Sequence, residues 1–473
     1  EKTIMWFRQD LRLKDNPALT AACQRGEVIP VYIYDTFNGG KHAPGSATRW
    51  WLHQSLLSLN EQLGASLVIM SGDPKVLLAQ LVAKSGANMI TWNRNYEPWQ
   101  IARDKRIIRE LKGSNLDICT YNGSLLWEPW DILNKSGQPY KVFTPFYRRG
   151  CLEGLEPRKP SPVPSEKKFF HLNEMDQGID SLKLIPKVRW YEKISEIWKP
   201  GENEAHKKLK GFLNAPVNDY RSNRNVPGSK GTSKLSPHLH FGEISPNQVW
   251  HSANKKIKSN VSVPDLDCFL SEIGWREFSY YLLFHFPNIP DDNFHQKFDN
   301  YPWEDEEIKL KAWQRGQTGV PIVDAGMREL WKTGHMHNRV RMIVGSYLVK
   351  NLNIDWRHGK DWFWDCLLDA DLASNSASWQ WVAGSGADAS PFFRIFNPVL
   401  QGEKFDKDGL YVRTYCPEIK NLPNQYLHKP WETPDQLLLE CGIELGKNYP
   451  RPLVNLKKSR ADALDKYRQL SNS

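Results

Sequence analysis

The sequence predicts an α/β N-terminal domain with a parallel, Rossmann-like sheet, joined by a long connector to a larger all-α domain. Three observations predict it. Short apolar runs alternate with helical patterns over residues 1–130, periodicity weakens over 131–205, and from 206 to 473 the pattern is helical almost throughout. A chain of 473 residues also exceeds the size at which one hydrophobic core keeps growing, so several domains are expected.

In the first domain TIMWF (3–7), VIPVYIY (28–34), LVIMSG (67–72) and MITWN (89–93) have the length and residue types of strands. Between them SATRWWLHQSLLSLNEQLG (46–64) and PKVLLAQLVAKSG (74–86) read as helices, each closing at a Gly. The alternation implies a parallel sheet of about five strands with helices on both faces. No GxGxxG follows the first strand, which argues against a dinucleotide held in the usual Rossmann manner. The segment PRKPSPVPSEKK, rich in Pro, Ser and Lys, reads as an exposed connector. Beyond it, helical patterns cover 266–285, 320–333 and 338–350, with loops at 286–302 and 382–400.

Composition narrows the function classes. With 40% hydrophobic and 25% charged residues the chain is that of a folded globular protein. Its 20 Trp, 17 Tyr and 19 Phe leave aromatic surface available beyond core packing. A net charge of +9 suits a polyanionic partner. Seven Cys without a CxxC pair indicate neither a disulfide framework nor a metal or iron–sulfur site, and fit a reducing, cytoplasmic compartment. The apolar run at the start is too short for a signal peptide, and no run approaches a membrane span.

One stretch carries most of the chemistry. DADLASNSASWQWVAGSGADASPFFR (369–394) sets carboxylates, an Asn, two Trp and an Arg among small residues. Small residues let a large flat ligand approach the backbone, carboxylates and Arg can clamp it, and Trp379 and Trp381 can stack on rings or pass electrons. That mixture suits a redox cofactor working on an aromatic or nucleic-acid substrate. TSKLS (232–236) adds hydroxyls and N–H groups at a helix start, which can cradle phosphate. EIGWREF places Glu272, Trp275 and Arg276 on one helical face, and MHNRVRM places Asn338 and Met342 four apart.

The order FRQDLRLKDNPAL, TSKLSPHLHFGEIS, EIGWREF, TGVPIVDAGMREL, MHNRVRM, IDWRHG, DADLASNSASWQW and FFRIFNP resembles the photolyase/cryptochrome family over about residues 3–420. Within the family it most resembles the bacterial enzymes that repair cyclobutane pyrimidine dimers. The resemblance implies an antenna-chromophore domain over 1–130, a connector over 131–205 and an FAD-binding catalytic domain over 206–473. It implies light-driven repair of UV-damaged DNA by a monomer in the bacterial cytoplasm, on the nucleoid when bound to DNA.

Residue by residue, the resemblance assigns Tyr220, Thr232, Ser233, Leu235, Ser236 and Arg276 to the phosphates and ribityl chain of FAD. Asp369 and Asp371 belong to the flavin pocket, Asp371 toward the N3/O4 edge, with Arg341 as partner for one of the acids. Asn375 faces flavin N5 and stabilises reduced forms of the ring. Plant cryptochromes commonly carry Asp at that position and animal ones Cys, so Asn favours repair over signalling. Glu272 and Asn338 hydrogen-bond the pyrimidine edges, Trp275 and Trp381 wall the lesion pocket, and Met342 lies against the dimer. Stacking an extruded base on such rings is worth about 1–3 kcal/mol each and offsets unstacking.

Trp379, Trp356 and Trp303 match the family's electron-transfer chain, and Arg339 and Arg394 match positions at the DNA backbone. Glu97 is the candidate ligand of an antenna chromophore, methenyltetrahydrofolate, with 8-hydroxydeazaflavin as the alternative. Enzymes for (6-4) photoproducts usually carry two His where this chain has Asn338, Arg339 and Met342, which disfavours that activity. A blue-light receptor without repair activity is the other alternative. His335 stands where relatives usually have Trp and is expected to alter packing behind the substrate helix.

Overall fold

The computed structural model describes residues 1–112, 115–256, 261–392 and 394–472; Phe393 of the FFRIFNP motif lies outside them. Five parallel strands, β1 (Lys2–Phe7), β2 (Glu27–Asp35), β3 (Val68–Gly72), β4 (Met89–Asn93) and β5 (Asp117–Tyr121), lie in the order β3-β2-β1-β4-β5. A two-residue strand, β6 (Lys168–Phe169), pairs with Glu27 and Val28 at the start of β2. The four expected strands are present. The fifth was not delimited in the sequence because DICTY opens on an exposed Asp and is only half-buried beyond it.

Helices α1 (Pro17–Arg25), α2 (Ser46–Gln62), α3 (Pro74–Ser85) and α4 (Pro98–Leu111) connect these strands. Local chemistry starts and stops them. Asn16 and Asp73 accept backbone N–H bonds at the starts of α1 and α3, each followed by Pro, and Gly86 closes α3 at φ 66°. Side-chain alternation along β1 sends Met5 and Phe7 to a core with Leu19, Trp50, Trp51 and Leu56, and Ile4 and Trp6 to another with Leu78, Leu81 and Ile107. Helices α1 and α2 therefore contribute to one core and α3 and α4 to the other, as the parallel sheet requires.

The chain forms two compact units. The first comprises Glu1–Asn218, Ser233–Pro287 and Leu368–Ala373. The second comprises Asp219–Thr232, Asn288–Leu367 and the chain from Ser374 onward. Residues 131–205, expected as a free connector, fall inside the first unit. Leu182, Leu184, Ile194 and Trp198 bury themselves in the core shared by α1 and α2, and each such side chain contributes about 1.5–3 kcal/mol. Their irregular spacing hides this from any periodicity.

The first unit also contains α5 (Glu202–Asn214), α6 (Ser236–His240), α7 (Pro246–Lys255) and α8 (Val263–His285). The second contains α9 (Pro321–Thr333), α10 (Asn338–Ser346), α11 (Trp356–Cys366), most of α12 (Leu372–Ala383) and α13 (Leu456–Asn472), whose Ala463 and Leu470 pack in an apolar cluster with Phe298, Tyr301 and Phe392. Among the described residues no helix is long and apolar enough to cross a membrane.

Candidate active site

Helix α8 carries EIGWREF, and its local packing explains the spelling. A Cβ on Gly274 would lie 2.6 Å from the Tyr147 ring, so that ring demands glycine. Phe143 stacks on Tyr147 at 5.3 Å and on Trp275 at 3.9 Å with only 11° between the latter planes. Such pairs are worth about 0.5–1.5 kcal/mol beyond burial and hold the half-exposed Trp275 indole in one orientation. Glu272, also half-exposed, precedes Trp275 by nearly one turn.

Arg276, expected at the FAD phosphates, is occupied within its own unit. Its Nη1 donates to the Ser124 carbonyl at 3.0 Å and to Glu277 Oε1 at 3.1 Å, and its guanidinium lies over the Tyr280 ring. Glu277 is buried, which raises its carboxyl to about 7, while Arg276 and the Leu126 and Trp127 N–H groups act in the opposite direction.

The first unit gathers buried acids around Asp369 and Asp371. Ser236 Oγ donates to Asp369 Oδ2 at 2.6 Å, and the Tyr280 hydroxyl donates to Asp371 Oδ2. His240 Nδ1 stands 3.8 Å from the same Asp371 oxygen. These pairings follow from burial, since an unpartnered interior carboxylate is strongly unfavourable. Glu97 is 3% exposed and accepts the Trp99 Nε1–H bond at 2.6 Å. Burial raises its carboxyl to about 8, with the charge of Asp371 adding and Trp99 and Arg103 opposing. Glu97, the expected antenna ligand, is thus a buried carboxyl that feels the charge of Asp371.

In TSKLS, Leu235 is buried, Ser233 is half-buried and Ser236 stays exposed while bonding Asp369. Thr232 and the buried Tyr220 belong to the second unit, Tyr220 opening a one-turn helix. Helix α10 starts at Asn338, with His337 Nδ1 accepting from Arg339 N at 3.2 Å. Glu329 of α9 anchors that start: it accepts from His337 N at 3.1 Å and Tyr411 Oη at 2.6 Å, and faces His335 Nδ1 at 3.7 Å. Burial opposes a charge on Glu329, but His335, Tyr411 and the His337 N–H outweigh it and hold the carboxyl low. His335 is therefore a carboxylate partner behind the expected substrate helix.

On α10, Asn338 is exposed and Met342 half-exposed. Arg339 Nη2 donates to Asn225 Oδ1 at 2.7 Å with its guanidinium over Phe405, and Arg341 Nε donates to the Met336 carbonyl at 2.7 Å. Asn375 is buried, its Nδ2 donating to the Lys360 carbonyl at 3.0 Å. Trp381 is half-buried, and Arg394 is exposed.

The three tryptophans expected to form an electron chain sit in different surroundings. A Cβ on Gly359 would overlap the Trp379 ring, which also meets Phe363 and Trp313 edge-on at 5.0 and 6.1 Å. Trp356 is fully buried, its Nε1 donating to Asn293 Oδ1 at 3.0 Å, and the half-buried Trp303 lies 4.4 Å from the Tyr301 ring. Sequence reading missed Phe143, Tyr280, Trp313 and Phe363. Each is one aromatic among many, distinguished only by what it touches.

The residues present fit a flavin. Asp371 offers an acceptor to a ring N–H, and His240 Nδ1 is a buried polar atom without a protein partner. Among the described residues no group of three His, Cys, Asp or Glu side chains is arranged to hold a metal.

Residues 3–165 match the family model described as DNA photolyase, and residues 269–469 match the FAD binding domain of DNA photolyase. A deoxyribodipyrimidine photo-lyase of Agrobacterium fabrum is 50% identical over 470 residues, 98% of this chain and 97% of that one. Cryptochrome-1 of Arabidopsis thaliana is 38% identical, covering 97% of this chain and 69% of its own. The crystal structure of a bacterial class III photolyase from Agrobacterium tumefaciens matches with a TM-score of 0.95 at 48% identity, covering 100% of this chain and 98% of that one. With both characteristic domains and full-length relatives at this identity, the chain belongs to the photolyase/cryptochrome family.

Proposed function

We propose that this protein is a deoxyribodipyrimidine photo-lyase that splits cyclobutane pyrimidine dimers in DNA under light, with FAD bound in its C-terminal domain. The observation that carries the reading is 50% identity to a deoxyribodipyrimidine photo-lyase across 98% of the chain. The bound FAD, in its reduced form, supplies the excited-state electron; the protein supplies proximity, orientation and electrostatics. Tyr220, Thr232, Ser233, Leu235, Ser236, Arg276, Arg341, Asp369, Asp371 and Asn375 are its proposed holders.

Glu272 and Asn338 are proposed to hydrogen-bond the dimer, with Trp275, Trp381 and Met342 packing against it. Rigid stacking of Trp275 on Phe143 supports a wall for a flat substrate. Trp379, Trp356 and Trp303 are the proposed electron route, while Arg339 and Arg394 contact phosphate without reading sequence. An antenna of the methenyltetrahydrofolate class belongs to the reading, with Glu97 as its proposed ligand. The second reading is a blue-light receptor, favoured by 38% identity to a plant cryptochrome.

One experiment separates the two. The purified protein is scanned in the visible and then illuminated with dimer-containing DNA beside a dark control. Flavin absorption and dimer loss only in light are expected. Flavin absorption without dimer loss favours the receptor, and absence of flavin rejects both.

A further inference from the structure

Helices α9 and α10 of the second unit pack against each other at very close range. A Cβ on Gly326 of α9 would lie 2.4 Å from Val340 and 2.9 Å from Val344 of α10, so the approach requires glycine. Gly334, at φ 66°, closes α9 in the left-handed conformation, and a tight turn leads into α10. Thr333 Oγ1 accepts from His335 N at 3.2 Å, and Arg341 Nε donates to the Met336 carbonyl at 2.7 Å, so the turn is braced at both ends. Residues 333–337 are all buried, and Asn338, the next in the chain, is exposed.

The last bond of this turn comes from outside α10. In a capping box the third residue of a helix accepts the N–H of the residue that precedes the helix. The third residue of α10 is Val340, whose side chain has no acceptor to offer. Glu329 of α9 takes that place, its Oε2 accepting from His337 N at 3.1 Å. The same Oε2 accepts from the Tyr411 hydroxyl at 2.6 Å, and Tyr411 belongs to a separate short helix, Leu410–Tyr415. Glu329, His337 and Tyr411 are all buried, so water does not replace a bond removed there.

We propose that Glu329 is a positioning residue for lesion recognition: through the His337 N–H it fixes the start of α10, so that Asn338 meets the pyrimidine edge in one orientation, and Tyr411 holds the Glu329 oxygen that does so. The proposal rests on the reading of Asn338 as a dimer contact. A side chain already held in its bound orientation loses less freedom on binding, which favours the dimer. Undamaged DNA, held through its phosphates, gains nothing from that order.

The FAD-loaded protein is titrated in the dark with a DNA duplex carrying one cyclobutane pyrimidine dimer and with the same duplex undamaged. Tyr411→Phe and Glu329→Leu are expected to lower dimer affinity by about threefold to tenfold, the effect of one lost hydrogen bond, and to leave undamaged DNA unaffected. Glu329→Gln, whose amide oxygen still accepts the His337 N–H, is expected to retain more of the selectivity. In an Asn338→Ala background Tyr411→Phe is expected to cost nothing further, because the residue acts through Asn338. A purely structural role would lower the urea midpoint and leave selectivity alone. Should Glu329→Leu fold poorly, Tyr411→Phe decides, since it removes one hydroxyl and no charge. Unchanged selectivity in folded Tyr411→Phe, or an equal loss with and without Asn338, overturns the proposal. Failure of the dimer-contact reading is separately visible as unchanged dimer affinity in Asn338→Ala alone, and the proposal falls with it.

Discussion

Asp371 and Trp379 come from one short motif, yet the surroundings of the two side chains are opposite in kind. Around Asp371 the first unit is polar: a tyrosine hydroxyl donates to the carboxylate, an imidazole nitrogen stands 3.8 Å from it, and its charge reaches the buried Glu97. Around Trp379 the second unit is aromatic, with Phe363, Trp313 and the bare backbone of Gly359 shaping a slot for an indole. Hydrogen bonds hold the first, and steric fit holds the second. The first arrangement is fixed by polar pairing, the second by burial among rings.

The contrast is broken most directly at Trp379. Trp379→Phe is expected to abolish photoreduction of the isolated protein while flavin absorption remains, as followed by the visible spectrum during illumination. Undiminished photoreduction would show that another aromatic route operates.

Gly359→Ala tests the slot itself. Alanine favours a helix by about 1 kcal/mol over glycine, but the added methyl overlaps Trp379, and overpacking costs about 1–3 kcal/mol. Net destabilisation is expected in urea unfolding; stabilisation would mean that the indole moves freely.

Titration distinguishes Glu97 from Lys350 by sign. Glu97, at about 8, keeps a proton in the folded protein between its ordinary 4.5 and 8 that the unfolded chain has released, so stability falls as pH rises through that window. Glu277, raised to about 7, acts in the same direction. Lys350 is lowered to about 7 by burial, with Arg394 adding. Between pH 7 and its ordinary 10.5 the unfolded chain binds a proton that the folded protein lacks, so stability rises with pH there. Each group acting alone gives a slope of about 1.4 kcal/mol per pH unit. Glu97→Gln should flatten the acid-side slope and Lys350→Met the alkaline one, read from denaturation midpoints across pH; unchanged slopes would refute the assignment.

The smallest effect is expected at Arg339. Arg339→Ala should weaken binding to damaged and undamaged DNA alike and reduce the salt slope of affinity by about one. Titrations at several salt concentrations check this, and selective loss for damaged DNA would place Arg339 inside the lesion pocket.

Much of the site was legible because family motifs mark its residues, and the strands were legible because β1 alternates between two cores. Partners were not. Tyr280 meets Asp371 across 91 residues, and Phe143 reaches Trp275 from a segment that reads as irregular connector. Arg276 is the same case: its motif gives no sign of Ser124 and Glu277, which accept its N–H bonds.

By itself the sequence determined the α/β start, the helical remainder, the family and the residue types available for flavin, lesion and electron chemistry. These depend on local periodicity and on short motifs whose spacing survives in one dimension. Only the tertiary structure decided that Tyr280 donates to Asp371, that Glu97 is buried, and that Gly359 and Gly274 yield their space to Trp379 and Tyr147. Burial and close packing set those outcomes, and both arise from segments far apart in the chain.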